Sequence, residues 1–171
     1  MIANIALLLI GAFYAVAGVI VARAGLTLLV IDAAAGALSL EKPNAAEIAR
    51  NRINLVVVVL MFSGGVMLMG RIEFALVAFV ACALLQAIYF FVLAPFWLDP
   101  ADPPRREGRR QSLNAFVIYL AASLFVAWAW STGRLYPLSD ASRLLIAGIA
   151  LAIAGFVGHI IVALRSGKPT V

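Results

Sequence analysis

Histidine and cysteine are almost absent from the sequence, since each occurs once, as His159 and Cys82. A single cysteine cannot form a disulfide within the chain, and thiol–disulfide chemistry that needs a pair is excluded. A single histidine cannot supply a bis-histidine haem site or a histidine-rich zinc site. The sequence therefore predicts no metal centre, no cofactor and no catalytic residue. Cys82, inside an apolar run, is expected to be a small buried residue.

Charged residues are also scarce, at 12% of the chain, whereas hydrophobic residues make up 65%. A soluble domain has about 25% charged and about 45–50% apolar residues. A chain of 171 residues also has too much surface for its volume to hide this much apolar side chain from water. The composition predicts an integral membrane protein. The net charge of +5 does not indicate nucleic-acid binding, because no folded basic face accompanies it.

Five apolar runs approach the roughly 20 residues that cross a bilayer core. Backbone groups in lipid must pair within their own segment, so each run is predicted to be a helix. The expected fold is all-α: one polytopic transmembrane domain, residues 1–171, with about five membrane-spanning helices and one short interfacial helix. The runs lie at about residues 2–22, 53–70, 74–98, 113–131 and 144–164.

Two segments between the runs need separate interpretation. Segment 24–38 is apolar but too short to cross a bilayer, and it contains Asp32, which is costly at the bilayer centre. It is predicted to be the interfacial helix, with a sixth crossing as the alternative. Segment 99–112, rich in proline and arginine, is predicted to be the main cytoplasmic loop. The first run lacks the basic start of a signal peptide, so we expect a retained helix.

Lysines and arginines divide unevenly between the two sides that five crossings define. Three of the 13 fall on one side, as Arg71, Arg134 and Arg143. Because basic residues near helix ends favour the cytoplasm, we expect the N-terminus outside and the C-terminus in the cytoplasm of a cell membrane, specifically a bacterial inner membrane. The ten residues on the cytoplasmic side are Arg23, Lys42, Arg50, Arg52, Arg105, Arg106, Arg109, Arg110, Arg165 and Lys168.

Two kinds of residue are expected to contact lipid headgroups. Arginines of the main loop would lie just inside the membrane, where each attracts anionic lipid by about 1 kcal/mol. Tryptophans near the ends of runs follow the aromatic-belt pattern. An acidic cytoplasmic partner is the alternative for the arginines. The predicted headgroup contacts are Arg105, Arg106, Arg109, Arg110, Trp97, Trp128 and Trp130.

Polar side chains inside the runs are the candidates for function, because lipid penalises them. They are expected to converge in the cytoplasmic half of the bundle, either as interhelical hydrogen bonds worth about 0.6–2 kcal/mol each or as a ligand pocket. No carboxylate lies within a predicted span, which argues against coupled transport and against a membrane hydrolase. The candidate ligand-binding residues are Asn54, Gln86, Tyr89, Asn114, Tyr119 and His159.

Small residues recur along the last run, among them Gly148, Ala152, Gly155 and Gly158. Small residues let helices approach closely in lipid, either within one chain or against a partner subunit or a second copy. The first functional hypothesis is therefore a non-enzymatic packing or accessory subunit of a membrane assembly. The second is a small transporter or ligand-binding protein with a polar pocket. The third is an enzyme acting on a lipid-soluble substrate, which would need a carboxylate near His159.

Overall fold

The computed structural model describes residues 2–39, 45–100 and 106–166. Within these ranges the chain forms five long helices, and its only extended pairing is an isolated bridge between Ile72 and Tyr136. The all-α fold is thereby confirmed. The helices are α1 (Ile2–Ser39), α2 (Ala45–Met69), α3 (Phe74–Ile88), which continues as a π-helix (Tyr89–Leu98), α4 (Arg106–Ser131) and α5 (Arg143–Ser166), with a short 3-10 helix at Leu138–Asp140.

Each of the five helices, with the π-helix counted as part of α3, is long and apolar enough to span a membrane. This agrees with the predicted number of crossings. The short helix expected at 24–38 is not a separate element, because α1 continues unbroken through it for 38 residues. No proline interrupts this stretch, and Gly25 inside a helix costs only about 1 kcal/mol. At 1.5 Å per residue, α1 is about 57 Å long, well beyond the roughly 30 Å of a bilayer core.

Glycines set the distance between α1 and α2. A Cβ atom on Gly65 would lie 2.6 Å from the Ala15 nitrogen, and one on Gly11 would lie 2.8 Å from the Gly65 oxygen. A Cβ atom on Gly18 would approach Phe62 to 3.0 Å. Only glycine permits these backbones to come so close, and close approach is what stabilises helix pairs in lipid. These small residues therefore pack within the chain.

An aromatic cluster fills the middle of the bundle and joins α1, α3 and α4. The ring of Tyr14 meets those of Phe79 and Tyr119 edge-on, at centroid distances of 5.4 and 5.0 Å. The rings of Phe79 and Tyr119 stack at 5.3 Å. All three side chains are buried, and Cys82, one helical turn from Phe79, is also fully buried, as predicted. Along α3 and α4 the cluster lies between the two ends of the bundle.

The last helix packs at the side of the bundle. Phe156 stacks on Phe62 at a centroid distance of 4.1 Å, and Ile160 and Ala163 join the same apolar cluster. Most other side chains of α5 are exposed. Its glycines Gly148, Gly155 and Gly158 differ from those of α1 and α2, because a Cβ atom on any of them would meet no atom within 4 Å.

At one end of the bundle, here called the turn end, the turn at 70–73 pairs with the connection at 132–142. The Tyr136 nitrogen donates to the Arg71 oxygen at 2.7 Å, and the Glu73 nitrogen donates to the Tyr136 oxygen at 3.0 Å. The Arg71 guanidinium donates to the Arg134 oxygen at 2.8 and 3.2 Å and lies 4.5 Å from the Tyr136 ring centre. Backbone pairing and arginine contacts therefore hold the two connections together.

Candidate functional site

The opposite end, here called the arginine end, contains a cavity of about 510 Å³. Ligand pockets in proteins usually measure about 300–1,000 Å³, so its size suits a small molecule or a headgroup. Apolar side chains of Val21, Val57, Phe90, Ala94 and Ala115 form part of the wall. The polar side chains on the wall, from α2, α3 with its π-helix, and α4, are Arg50, Asn54, Gln86, Tyr89, Asp99, Arg109 and Ser112.

The π-helix determines which way Asp99 faces. Pro95 lies inside it and has no N–H to donate, and in an α-helix its ring would clash with the carbonyl one turn earlier. The wider turn continues to Asp99, whose nitrogen donates to the Ala94 oxygen at 2.8 Å. From Phe90 to Asp99 an α-helix would make about two and a half turns, whereas a π-helix makes about two. Asp99 therefore lies on the same side as Phe90, facing the cavity.

Asp99 joins three helices at the mouth of the cavity. One carboxylate oxygen accepts from Arg109 Nη1 of α4 at 2.5 Å. The other lies 3.7 Å from Arg50 Nη2 of α2. The Asp99 side chain is only 14% exposed, so its ion pairs are less screened by solvent than pairs on an open surface. Among the described residues, two guanidinium groups and one carboxylate meet here.

Polar contacts continue from the mouth of the cavity towards the aromatic cluster. Tyr89 lies near the Arg50 guanidinium on the same wall. The Gln86 amide donates to the Cys82 sulphur at 3.2 Å, and that sulphur lies 3.7 Å from the Val57 oxygen, to which it donates. Gln86 is therefore held by a buried residue on its own helix while it lines the cavity.

The structure brings together three of the six candidate ligand-binding residues. Asn54, Gln86 and Tyr89 line the cavity. Asn114 is exposed and lies off the cavity, because at about 100° per residue it is rotated away from Ser112 and Ala115, which line it.

The other two candidates belong to different parts of the bundle. Tyr119 is in the aromatic cluster, where its hydroxyl is buried without a hydrogen-bond partner among the described residues. His159 is exposed on α5, which contributes no residue to the cavity wall. The imidazole makes no hydrogen bond or ion pair with any residue described, so nothing orients it as a general base would require.

The residues predicted to contact headgroups occupy both ends. Arg109 faces Asp99, whereas Arg110 is exposed. Arg106 begins α4 and is described only by its backbone, and Arg105 lies outside the described residues. Trp97, in the π-helix, is 75% exposed. Trp128 and Trp130 are exposed near the turn end, where the Arg134 guanidinium lies 5.1 Å from a Trp128 ring centre.

Three charged residues of the cavity wall, Arg50, Asp99 and Arg109, are absent from the predicted ligand-binding residues, although Arg109 is among the predicted headgroup contacts. In the sequence, Arg50 counts only as one of the basic residues that indicate the cytoplasmic side. Asp99 is the first residue of the predicted main loop. The sequence signal for Asp99 is Pro95 inside an apolar run, because a proline there favours a change of helical pitch. Within ranges 2–39, 45–100 and 106–166, no group of three histidine, cysteine or acidic side chains is placed to hold a metal ion.

Comparison with protein-family models, with curated proteins and with solved structures gives no match for this chain. Its class follows from the chain itself. It is an integral membrane protein with an all-α helical bundle. Its five long helices are apolar, their exposed faces carry large apolar side chains, and charged residues lie near their ends.

Proposed function

We propose that this chain is a non-enzymatic membrane protein that binds a polar ligand in the cavity at its arginine end. The observation that supports this most is the meeting of seven polar side chains from three helical segments around a volume of about 510 Å³. Side chains that served only to join helices would fill the core between them, since protein interiors are closely packed, whereas Arg50, Asp99 and Arg109 pair beside an open volume. A cavity with a polar wall instead suits a binding site.

The aromatic cluster favours binding over open passage. Tyr14, Phe79 and Tyr119 pack against one another between the cavity and the turn end. A transport cycle would have to separate these stacked rings, whereas a binding protein needs only the opening at the arginine end. We therefore propose ligand binding, and transport would require an additional step that opens the aromatic cluster.

Cysteine accessibility tests the cavity. In a Cys82→Ala background, Asn54→Cys and Gln86→Cys are expected to react with a membrane-impermeant thiol reagent that reaches the arginine end. The matched control is Val126→Cys, at a fully buried position of α4, which should stay unlabelled. If Asn54→Cys and Gln86→Cys react no faster than Val126→Cys, no water-filled cavity exists and the proposal fails.

We also propose that the arginine end faces the cytoplasm of a bacterial inner membrane, with the N-terminus outside. The support is the uneven distribution of basic residues. In intact cells lacking Cys82, Ser139→Cys at the turn end should react with an impermeant reagent, and Arg110→Cys at the arginine end should not. Both positions are exposed, so the reverse result would invert the topology.

A packing role for α5 is the second candidate function. A Cβ atom added to either of its exposed glycines Gly148 and Gly155 would meet no atom within 4 Å, so this face is open to a partner subunit or to a second copy. Replacing both with isoleucine should dissociate any complex seen on native gels in mild detergent. Leu151→Ile, on the same exposed helix, is the control that should leave such a complex intact.

A further inference from the structure

We propose that the cavity recognises a phosphate group, held between Arg50 and Arg109 at its mouth. The inference rests on the proposed ligand-binding function and names the chemistry of the ligand. Phosphate of this kind occurs in two sources, the headgroup of a membrane phospholipid and a soluble phosphate ester, and the experiment below distinguishes them.

The charges at the mouth select for an anion. Among the described residues, Arg50 and Arg109 both approach the carboxylate of Asp99, from two different helices, so a cationic ligand would meet two guanidinium groups. A guanidinium has five N–H donors in a planar fork. Arg109 reaches Asp99 through Nη1, and its side chain is 41% exposed, which leaves the rest of the fork accessible to a second anion.

The remaining polar wall favours phosphate over a carboxylate. Asn54 and Gln86 supply amide groups, and Tyr89 and Ser112 supply hydroxyls, all around the same volume. A site with this many potential donors suits a ligand group with several acceptor oxygens. Arginine guanidinium groups also bind phosphate in bidentate fashion.

The apolar part of the wall fits one of the two sources. The side chains of Val21, Val57 and Phe90 would accommodate the glycerol and upper acyl carbons of a lipid.

The test measures protection of a reporter cysteine. Ala115→Cys in the Cys82→Ala background places a thiol on the apolar wall and keeps every polar group of the site. The full chain is purified in dodecyl maltoside, which contains no phosphate, and its labelling rate is followed with added phosphatidic acid, inorganic phosphate or oleate. Phosphatidic acid is expected to slow labelling several-fold, and oleate, an anion without phosphate, is expected to have little effect.

Protection by phosphatidic acid alone identifies a lipid, and equal protection by inorganic phosphate identifies a soluble phosphate. If neither protects, or if oleate protects as well as phosphatidic acid, the phosphate assignment is wrong. The ligand-binding proposal survives that result provided that Ala115→Cys is labelled in the absence of ligand, whereas no labelling at all would remove the cavity itself.

Neighbouring arginines provide matched variants. Arg109→Gln should weaken protection about tenfold, as expected for the loss of one charge-assisted contact. Arg110→Gln removes the same charge from an exposed position off the cavity and should change protection little. Arg109→Lys keeps the charge without the fork and should fall between them, which covers the case in which Arg109→Gln does not fold. Equal losses in the 109 and 110 glutamine variants would mean general surface attraction and would overturn the proposal.

Discussion

The two ends of the bundle use arginine for different purposes. At the turn end, the Arg71 guanidinium is satisfied by the Arg134 carbonyl and by the Tyr136 ring, and paired backbones close the structure. At the arginine end, Arg50 and Arg109 both approach the carboxylate of Asp99 at the edge of a cavity. The Arg71 donors are directed at a backbone carbonyl and join two connections, whereas Arg109 is 41% exposed beside open volume and can donate to a further anion.

The cavities near the two ends differ in the same way. Near the turn end, two cavities of about 500 and 580 Å³ flank the first half of α5 and are lined almost entirely by apolar side chains. The cavity at the arginine end is of similar volume but has a charged and hydrogen-bonding wall. Volume alone therefore does not indicate a ligand site, and the polar lining is what distinguishes the arginine end.

The largest expected effect comes from disrupting the close contact between α1 and α2, which supports both ends of the bundle. Gly65→Leu places side-chain atoms where the α1 backbone lies, because even a Cβ atom would be 2.6 Å from the Ala15 nitrogen. It should lower the free energy of unfolding in detergent by about 3 kcal/mol or more. Gly148→Leu, with no atom within 4 Å, is the control and should cost less than about 1 kcal/mol. Equal effects would mean that the α1–α2 contact does not limit stability.

A smaller loss is expected when the turn end alone is opened. Arg71→Ala removes two hydrogen bonds to the Arg134 oxygen and the contact with the Tyr136 ring. Unfolding in detergent should become easier by about 2–3 kcal/mol, while labelling of Asn54→Cys at the other end stays unchanged. Arg143→Ala, an exposed arginine at the same end, is the comparison. A change in cavity labelling would show that the two ends are coupled through the aromatic cluster.

Asp99→Asn is expected to loosen the arginine end without unfolding the bundle. It removes the carboxylate from between Arg50 and Arg109, and the loss of partly buried ion pairs should cost about 1–2 kcal/mol. Labelling of Ala115→Cys should become faster, since α2 and α4 are no longer joined through Asp99. Glu107→Gln, an exposed acidic residue near the same mouth, should leave the rate unchanged. A rate unaffected by Asp99→Asn would contradict the assigned role of the ion pairs.

The smallest effect is expected at the boundary between the two ends. Tyr119→Phe removes a buried hydroxyl that has no partner among the described residues and keeps the ring that stacks on Phe79. Because an unpaired buried hydroxyl is costly, stability in a thermal unfolding assay should stay the same or rise by up to about 1 kcal/mol. A clear loss of stability would show that the hydroxyl has a partner, such as a bound water, and that water reaches the aromatic cluster.

The helices could be predicted from the sequence because their cause is local. An apolar run of this length has to satisfy its own backbone groups in lipid, so each run forms a helix whatever surrounds it, and the run predicted at 74–98 coincides with the span from Phe74 to Leu98. The break predicted between segments 2–22 and 24–38 was wrong, because the short second segment and its Asp32 favoured a separate helix although no proline interrupts α1.

The candidate site could be predicted only in part. Asn54, Gln86 and Tyr89 stand out by polarity in an apolar context, and the structure places all three on one cavity. Asn114 and His159 satisfy the same criterion but lie elsewhere, because polarity says nothing about rotation around a helix axis. Asp99 was missed because it follows the predicted run as the first residue of the predicted main loop, and an α-helical period would also have turned it away from Phe90.

The sequence by itself determined that this chain is a membrane-embedded helical protein with most of its basic residues on one side, because composition, run length and charge are properties of the chain before it folds. Tertiary structure decided which glycines bring α1 and α2 together, that α5 stands at the side, and that Arg50, Asp99 and Arg109 meet at one mouth. Those outcomes depend on the rotation and pitch of each helix against its neighbours, and packing between helices sets both.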